Sequence, residues 1–104
     1  MTREELIKLH EDTCNAARKT MIAKSKDYAC NASDPFSNFN GSIVFEIEPP
    51  VGIILRIQDK LKRIFTFVKT GKLNVENEGV EDAIQDAINY LILIKGLIRD
   101  KAEK

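Results

Sequence analysis

The sequence predicts an all-α fold, a helical bundle of three long helices plus a shorter element at residues 42–48, assembled as a homo-oligomer. Three observations predict the helices. Thr2 and Glu5 have the S/T-x-x-E form of a capping box at the head of a continuous non-breaking run. Ile54, Ile57, Leu61, Ile64 and Val68 follow at 3-4-3-4 spacing between Pro49-Pro50 and Gly71. In residues 78–98, at ~100° per residue, Glu78, Asp82, Asp86 and Asn89 fall on one side and Ile84, Ala87, Leu91 and Ile98 on the other.

The first helix should begin near Arg3 and run to about Tyr28, carrying Leu6, Ile7, Leu9, Ala17, Met21 and Ile22. The following CNASDPFSNFNGS concentrates residues that favour turns and side-chain capping, so 31–42 reads as a loop with Phe36 and Phe39 as anchors. SIVFEIE, at 42–48, fits a short strand or two turns of helix. Pro50 suits the first turn of a second helix, where its missing N–H costs nothing, and Gly71 suits a left-handed C-terminal cap, giving a helix over 51–70. The third helix should span 78–101, with Asn77 as N-cap and acids in the first turn favouring the helix dipole. Past Asn89 its acidic ridge meets Leu93 and Leu97, so the side that begins acidic should end covered.

At 104 residues the chain should form a single domain, small enough that its helices call for a partner chain. Sixteen basic and sixteen acidic residues cancel, removing the positive field expected of a protein that lives on duplex nucleic acid. Cys14 and Cys30 lack metal-type spacing and His10 is the single histidine, which argues against zinc and for a reducing compartment. A disulfide between the two cysteines is the minor alternative. The charged start, MTREELIKLHED, has no signal-peptide core, and no apolar run approaches the ~18 residues needed to span a bilayer. A cytoplasmic protein without membrane contact is expected.

Chemistry should concentrate where the second and third helices meet. Arg56, Asp59, Lys60, Arg63 and Phe67 share one side of the second helix, a mainly basic ridge facing the acidic ridge of the third. The two ridges allow an internal ion network, with Arg56 and Arg63 paired to Asp82 and Asp86. They equally allow an oxygen-rich magnesium site of Asp59, Glu78, Asp82 and Asp86, beside a phosphate site of Arg56, Lys60, Arg63 and Lys26.

The runs KSKDYA (24–29), DPFSNF (34–39), RIQDKLKRI (56–64) and EGVEDAIQDAINY (78–90) resemble the nucleotide-modification-associated domain family of phages and bacteria. That family is similar to the MazG-like all-α nucleoside triphosphate pyrophosphatases. The resemblance covers about two thirds of the chain, with R-I-x-D-K-x-x-R and D-x-x-x-D-x-x-N-Y as its most specific pieces. It implies a helical bundle, usually dimeric, in which E-x-x-E and E-x-x-D pairs hold magnesium against a triphosphate. Asp86 and Tyr90 match the D-x-x-x-Y end of the second pair. The rest departs: Ala83 stands three before Asp86, and Asp59 is followed three later by Lys62. Fewer carboxylates and more cations favour holding phosphate over polarising it through metal.

The expectation is therefore binding of a phosphorylated nucleotide or nucleotide-derived signal, with the resemblance implying a phage role in nucleotide modification or in sequestering a nucleotide immune signal. Arg56, Lys60 and Arg63 would take phosphate. Lys26, Asp27, Tyr28, Asn38 and Phe39 would contact base or sugar, Tyr90 could stack a base or sit in the core, and Asn89 could read a base edge or bridge. A magnesium-dependent pyrophosphohydrolase and a non-catalytic oligomeric interaction protein are the alternatives. His10 reads as solvated, Cys14 and Cys30 lack an evident activating partner, and GKLNVENEG has no phosphate-loop pattern.

Overall fold

The computed structural model describes residues 1–28, 48–72 and 79–103. These form three α-helices, α1 (Arg3–Tyr28), α2 (Pro49–Thr70) and α3 (Val80–Glu103), with no strand among the described residues. The loop anchors Phe36 and Phe39, nearly all of the expected element at 42–48 and the Asn77 cap lie outside them.

Each helix starts and stops for local chemical reasons. At the head of α1 the capping box is complete: Thr2 N–H donates to Glu5 Oε2 at 2.8 Å, and Glu5 N–H donates to Thr2 Oγ1 at 3.1 Å. Helix α2 opens at Pro49, two residues before the expected start, because both prolines fit a first turn whose N–H groups have no intrahelical acceptor. Glu48 precedes it in extended conformation at φ −63°, ψ 140°. Gly71 ends α2 at φ 77°, donating its N–H to Phe67 O at 2.7 Å. A Cβ there would meet nothing within 4 Å, so glycine is favoured by backbone conformation alone. Helix α3 begins at Val80, and Asp82 Oδ2 accepts the Gly79 N–H at 3.4 Å.

Helix α3 is the common support, packing against both α2 and α1. Ile53 and Ile57 of α2 are buried against Tyr90, Leu93, Ile94 and Leu97, while Lys60 meets Asp86. Advancing along α2 thus means retreating along α3, and the two run antiparallel. Ala17 of α1 is buried, and Ala83 and Ala87 are buried on α3. These alanines let helix axes approach closely. At ~1.5 Å per residue the 26 residues of α1 extend ~39 Å, most of the molecule's 44 Å length. Its first turns carry Leu6, Ile7 and Leu9 into solvent.

The apolar rows of α2 and α3 are divided in the fold. In the 3-4-3-4 stripe of α2, Ile57 is buried and Ile64 half-buried, whereas Ile54, Leu61 and Val68 are exposed. The packed row runs through Ile53, Ile57, Lys60 and Ile64, with Ile53 and Lys60 taking the places of their exposed neighbours Ile54 and Leu61. On α3 likewise, Ile84, Leu91 and Ile98 are exposed, and the packed face runs through Ala83, Ala87, Tyr90, Ile94 and Leu97. The covered continuation of the acidic ridge at Leu93 and Leu97 is as expected. No described helix is long and apolar enough to cross a membrane.

Ile53 is fully buried and its neighbour Ile54 is 53% exposed. Ile53→Ala should therefore cost about 2–4 kcal/mol in chemical denaturation, and Ile54→Ala in the monomer less than about 1 kcal/mol. Equal losses would contradict this assignment of faces.

Candidate functional site

The three helices converge on one carboxylate. Asp86 Oδ1 lies 3.4 Å from Lys24 Nζ of α1, and Asp86 Oδ2 lies 3.1 Å from Lys60 Nζ of α2. The Lys60 side chain is only 16% exposed, so its aliphatic stem is buried while the ammonium reaches the carboxylate. Around this pair lies a hollow of about 360 Å³, lined by Thr20 and Lys24 from α1, Lys60 and Arg63 from α2, and Asp82 and Asp86 among others from α3. That volume is in the range of small-molecule sites.

A second hollow, of about 420 Å³, is lined by Leu55, Arg56, Asp59, Lys60 and Tyr90. Lys60 borders both, so they form neighbouring compartments along α2. In this second compartment Tyr90 packs on Ile53 and Ile57, the core position open to it, and also lines the hollow.

The structure thus brings Lys60, Arg63, Asp82 and Asp86 together at one hollow and Arg56, Asp59 and Tyr90 at the other. Asn89 lines neither. It is buried, donates Nδ2–H to Ala17 O at 3.0 Å, and so fastens α1 to α3. Its Oδ1 is buried and has no hydrogen-bond partner among the described residues. Lys26, Asp27 and Tyr28 close α1 with side chains outside the described part, and Asn38, Phe39, Cys30 and Glu78 lie outside the described residues altogether.

The expected pairing of Arg56 and Arg63 with Asp82 and Asp86 is corrected in detail. The lysines take Asp86, and Arg63 Nη2 lies 3.2 Å from Asp59 Oδ2, one helical turn away. Asp82 turns back to the Gly79 N–H in its own first turn, completing half a capping box. Asp59, Asp82 and Asp86 therefore do not converge. No group of three or more acidic, histidine or cysteine side chains capable of holding a metal occurs among the described residues. Their donor set does not fit a magnesium cage: one acid caps a helix, another lies between two ammonium groups, and the third pairs with an arginine. The first hollow is lined by Lys24, Lys60 and Arg63 and by the carboxylates of Asp82 and Asp86, and Asp59 beside Arg63 brings the charges there into balance.

Thr20, Lys24, Gln85 and Leu55 escaped the sequence reading. Lys24 was legible in principle, because Ala17, Thr20 and Lys24 follow at three- and four-residue spacing on one face of α1. The signal was hidden by taking Lys26, nearby in the same KSKDYA run, as the cation. Outside the hollows, Cys14 Sγ lies 3.9 Å from His10 Nδ1, a partner one turn back that the sequence reading did not assign. Both are exposed.

Asp86→Ala should lower stability by about 1–2 kcal/mol, since it strips a half-buried lysine of its carboxylate, and Asp82→Ala by about 0.5–1 kcal/mol through loss of a cap. Urea titration of both variants checks the order; a larger loss at Asp82 would reverse the assignment of their roles.

Comparison of the chain with family models, with curated proteins and with solved structures finds no match.

Proposed function

We propose that the chain binds a phosphorylated nucleotide or a nucleotide-derived signal along the two compartments joined at Lys60, and holds it without cleaving it. The observation that carries this reading is Lys60 itself, a largely buried cation that borders both hollows. Lys24, Lys60 and Arg63 would take phosphate oxygens in the first compartment. Arg56 would add a contact in the second, where Leu55 and Tyr90 offer apolar surface to a base. An incoming phosphate competes with Asp86 for the lysines, so binding exchanges one ion pair for another and weakens as salt rises.

Retention is favoured over hydrolysis because the described carboxylates are committed elsewhere: Asp86 to two lysines, Asp82 to a backbone N–H and Asp59 to Arg63. In the setting implied by the resemblance to the nucleotide-modification-associated family, a cytoplasmic phage protein of this kind would act in nucleotide modification or sequester a nucleotide immune signal. Magnesium-dependent pyrophosphate release, with Glu78 added to the acids, is the competing reading. We further propose that the chain works as a homo-oligomer. The expected oligomer surface, residues 90–98, is divided in the fold: Leu93, Ile94 and Leu97 pack inward, and Leu91, Ile92 and Ile98 stay exposed.

Incubation with nucleoside mono-, di- and triphosphates and cyclic dinucleotides, with and without magnesium, followed by chromatography of bound and free species, separates the classes. Intact ligand recovered from denatured protein supports sequestration. Pyrophosphate in solution establishes the hydrolase instead, and the absence of both overturns nucleotide binding. Arg63→Ala should weaken binding of any retained ligand by about tenfold or more. Unchanged affinity would remove the phosphate from the first compartment.

A further inference from the structure

The second hollow is built unlike the first. Leu55 gives it an apolar wall and Tyr90 an aromatic one, and its polar groups are Arg56 and Asp59, with Lys60 at the border to the first hollow. Arg56 and Asp59 stand three residues apart on α2, on neighbouring sides of the helix, with a step of ~4.5 Å between them along its axis. The hollow thus presents a cation and then an anion in a row beside a ring. A base packed against Tyr90 has one polar edge to lay along that row.

Asp59 is held in place from the phosphate side. Arg63, one helical turn on, lies with Nη2 3.2 Å from Asp59 Oδ2. Arg63 lines the first hollow and Asp59 the second, so this pair crosses from one compartment to the other. A carboxylate offers about four lone-pair sites, and the contact with Arg63 takes one of them. Its remaining sites only accept, whereas the guanidinium of Arg56 only donates. The row therefore asks a base for an acceptor followed by donors.

Guanine answers in that order. Along its Watson–Crick edge, O6 accepts, N1–H donates and the N2 amine donates. Hypoxanthine and uracil supply the acceptor and a single donor. In adenine and cytosine the central ring nitrogen of the edge is an acceptor, which sets a lone pair against the carboxylate whichever way the edge is turned. Arginine on guanine O6 is a pairing that recurs wherever proteins read this base.

We infer that the second compartment selects guanine, Asp59 accepting from N1–H and the N2 amine and Arg56 donating to O6. The inference rests on the nucleotide-binding reading above, with the phosphates beside Lys24, Lys60 and Arg63. The Asp59 side chain is 58% exposed, so water competes for its bonds. Selectivity belongs at the low end for a two-bonded base contact, about 5- to 20-fold.

Equilibrium dialysis of the full chain against guanine, hypoxanthine and adenine nucleotides, matched as monophosphates, triphosphates and cyclic dinucleotides, reads this preference. Matching the phosphates removes the first compartment from each comparison. Guanine should bind about 5- to 20-fold more tightly than adenine, with hypoxanthine, which lacks the N2 amine, between them. Asp59→Asn replaces two acceptors by one acceptor and one donor, the complement of xanthine, where O2 stands in place of the amine. The variant should bind xanthine more tightly than guanine. Loss of the partner of Arg63 lowers affinity for all bases alike and does not invert their order. Equal affinity across the bases, or tighter binding of adenine, overturns the inference and leaves nucleotide binding standing. Guanine preference that survives Asp59→Asn overturns it too, and failure of every nucleotide to bind overturns both readings together.

Discussion

The arrangement of the three helices turns on the packing of α3, and within α3 on Asp86. One carboxylate receives a lysine from α1 and a lysine from α2, so a single position senses both neighbours. On one side of it, Ile53 and Ile57 secure α2 through apolar contact. On the other, Asn89 holds the α1 backbone, helped by the buried Ala17. Without the carboxylate the largely buried Lys60 would face Lys24 across an uncompensated gap. The charge pair contributes less by its own attraction than by making burial of Lys60 tolerable.

This arrangement explains why two lysines and an arginine line a hollow beside a row of acids. Acids on one ridge of an isolated helix look like a metal site. In the fold, each described one has been drawn to a different task by its nearest donor: a backbone N–H at the helix start for Asp82, ammonium groups at mid-helix for Asp86, a guanidinium one turn along for Asp59. Proximity along a helix gives a shared face. Convergence on one point needs the helices to be placed in three dimensions, and here that placement interleaves the carboxylates with cations and a backbone N–H.

The boundaries of the helices were legible from the chain because they depend on neighbours a few residues apart. The Thr2–Glu5 exchange, the two prolines opening α2 and the left-handed Gly71 are all such local events. The buried faces were less legible. On α2 two apolar rows stand side by side, one led by Ile53 and the other by Ile54, and periodicity alone does not say which meets α3. What decides is Lys60, which joins the buried row and carries it toward Asp86. The site was half legible for the same reason: Arg56, Lys60 and Arg63 were visible as a ridge, but the contribution of Lys24 depends on how α1 crosses α3.

The amide of Asn89 acts as a clasp between helices. Its Nδ2 ties α3 to the α1 backbone at Ala17 O. Because the acceptor is a backbone carbonyl, the attachment does not depend on the chemistry of the side chain at position 17, which needs only to be small enough for the two helices to meet. An apolar group of the same size at position 89 would leave the contact packed and the two helices unfastened.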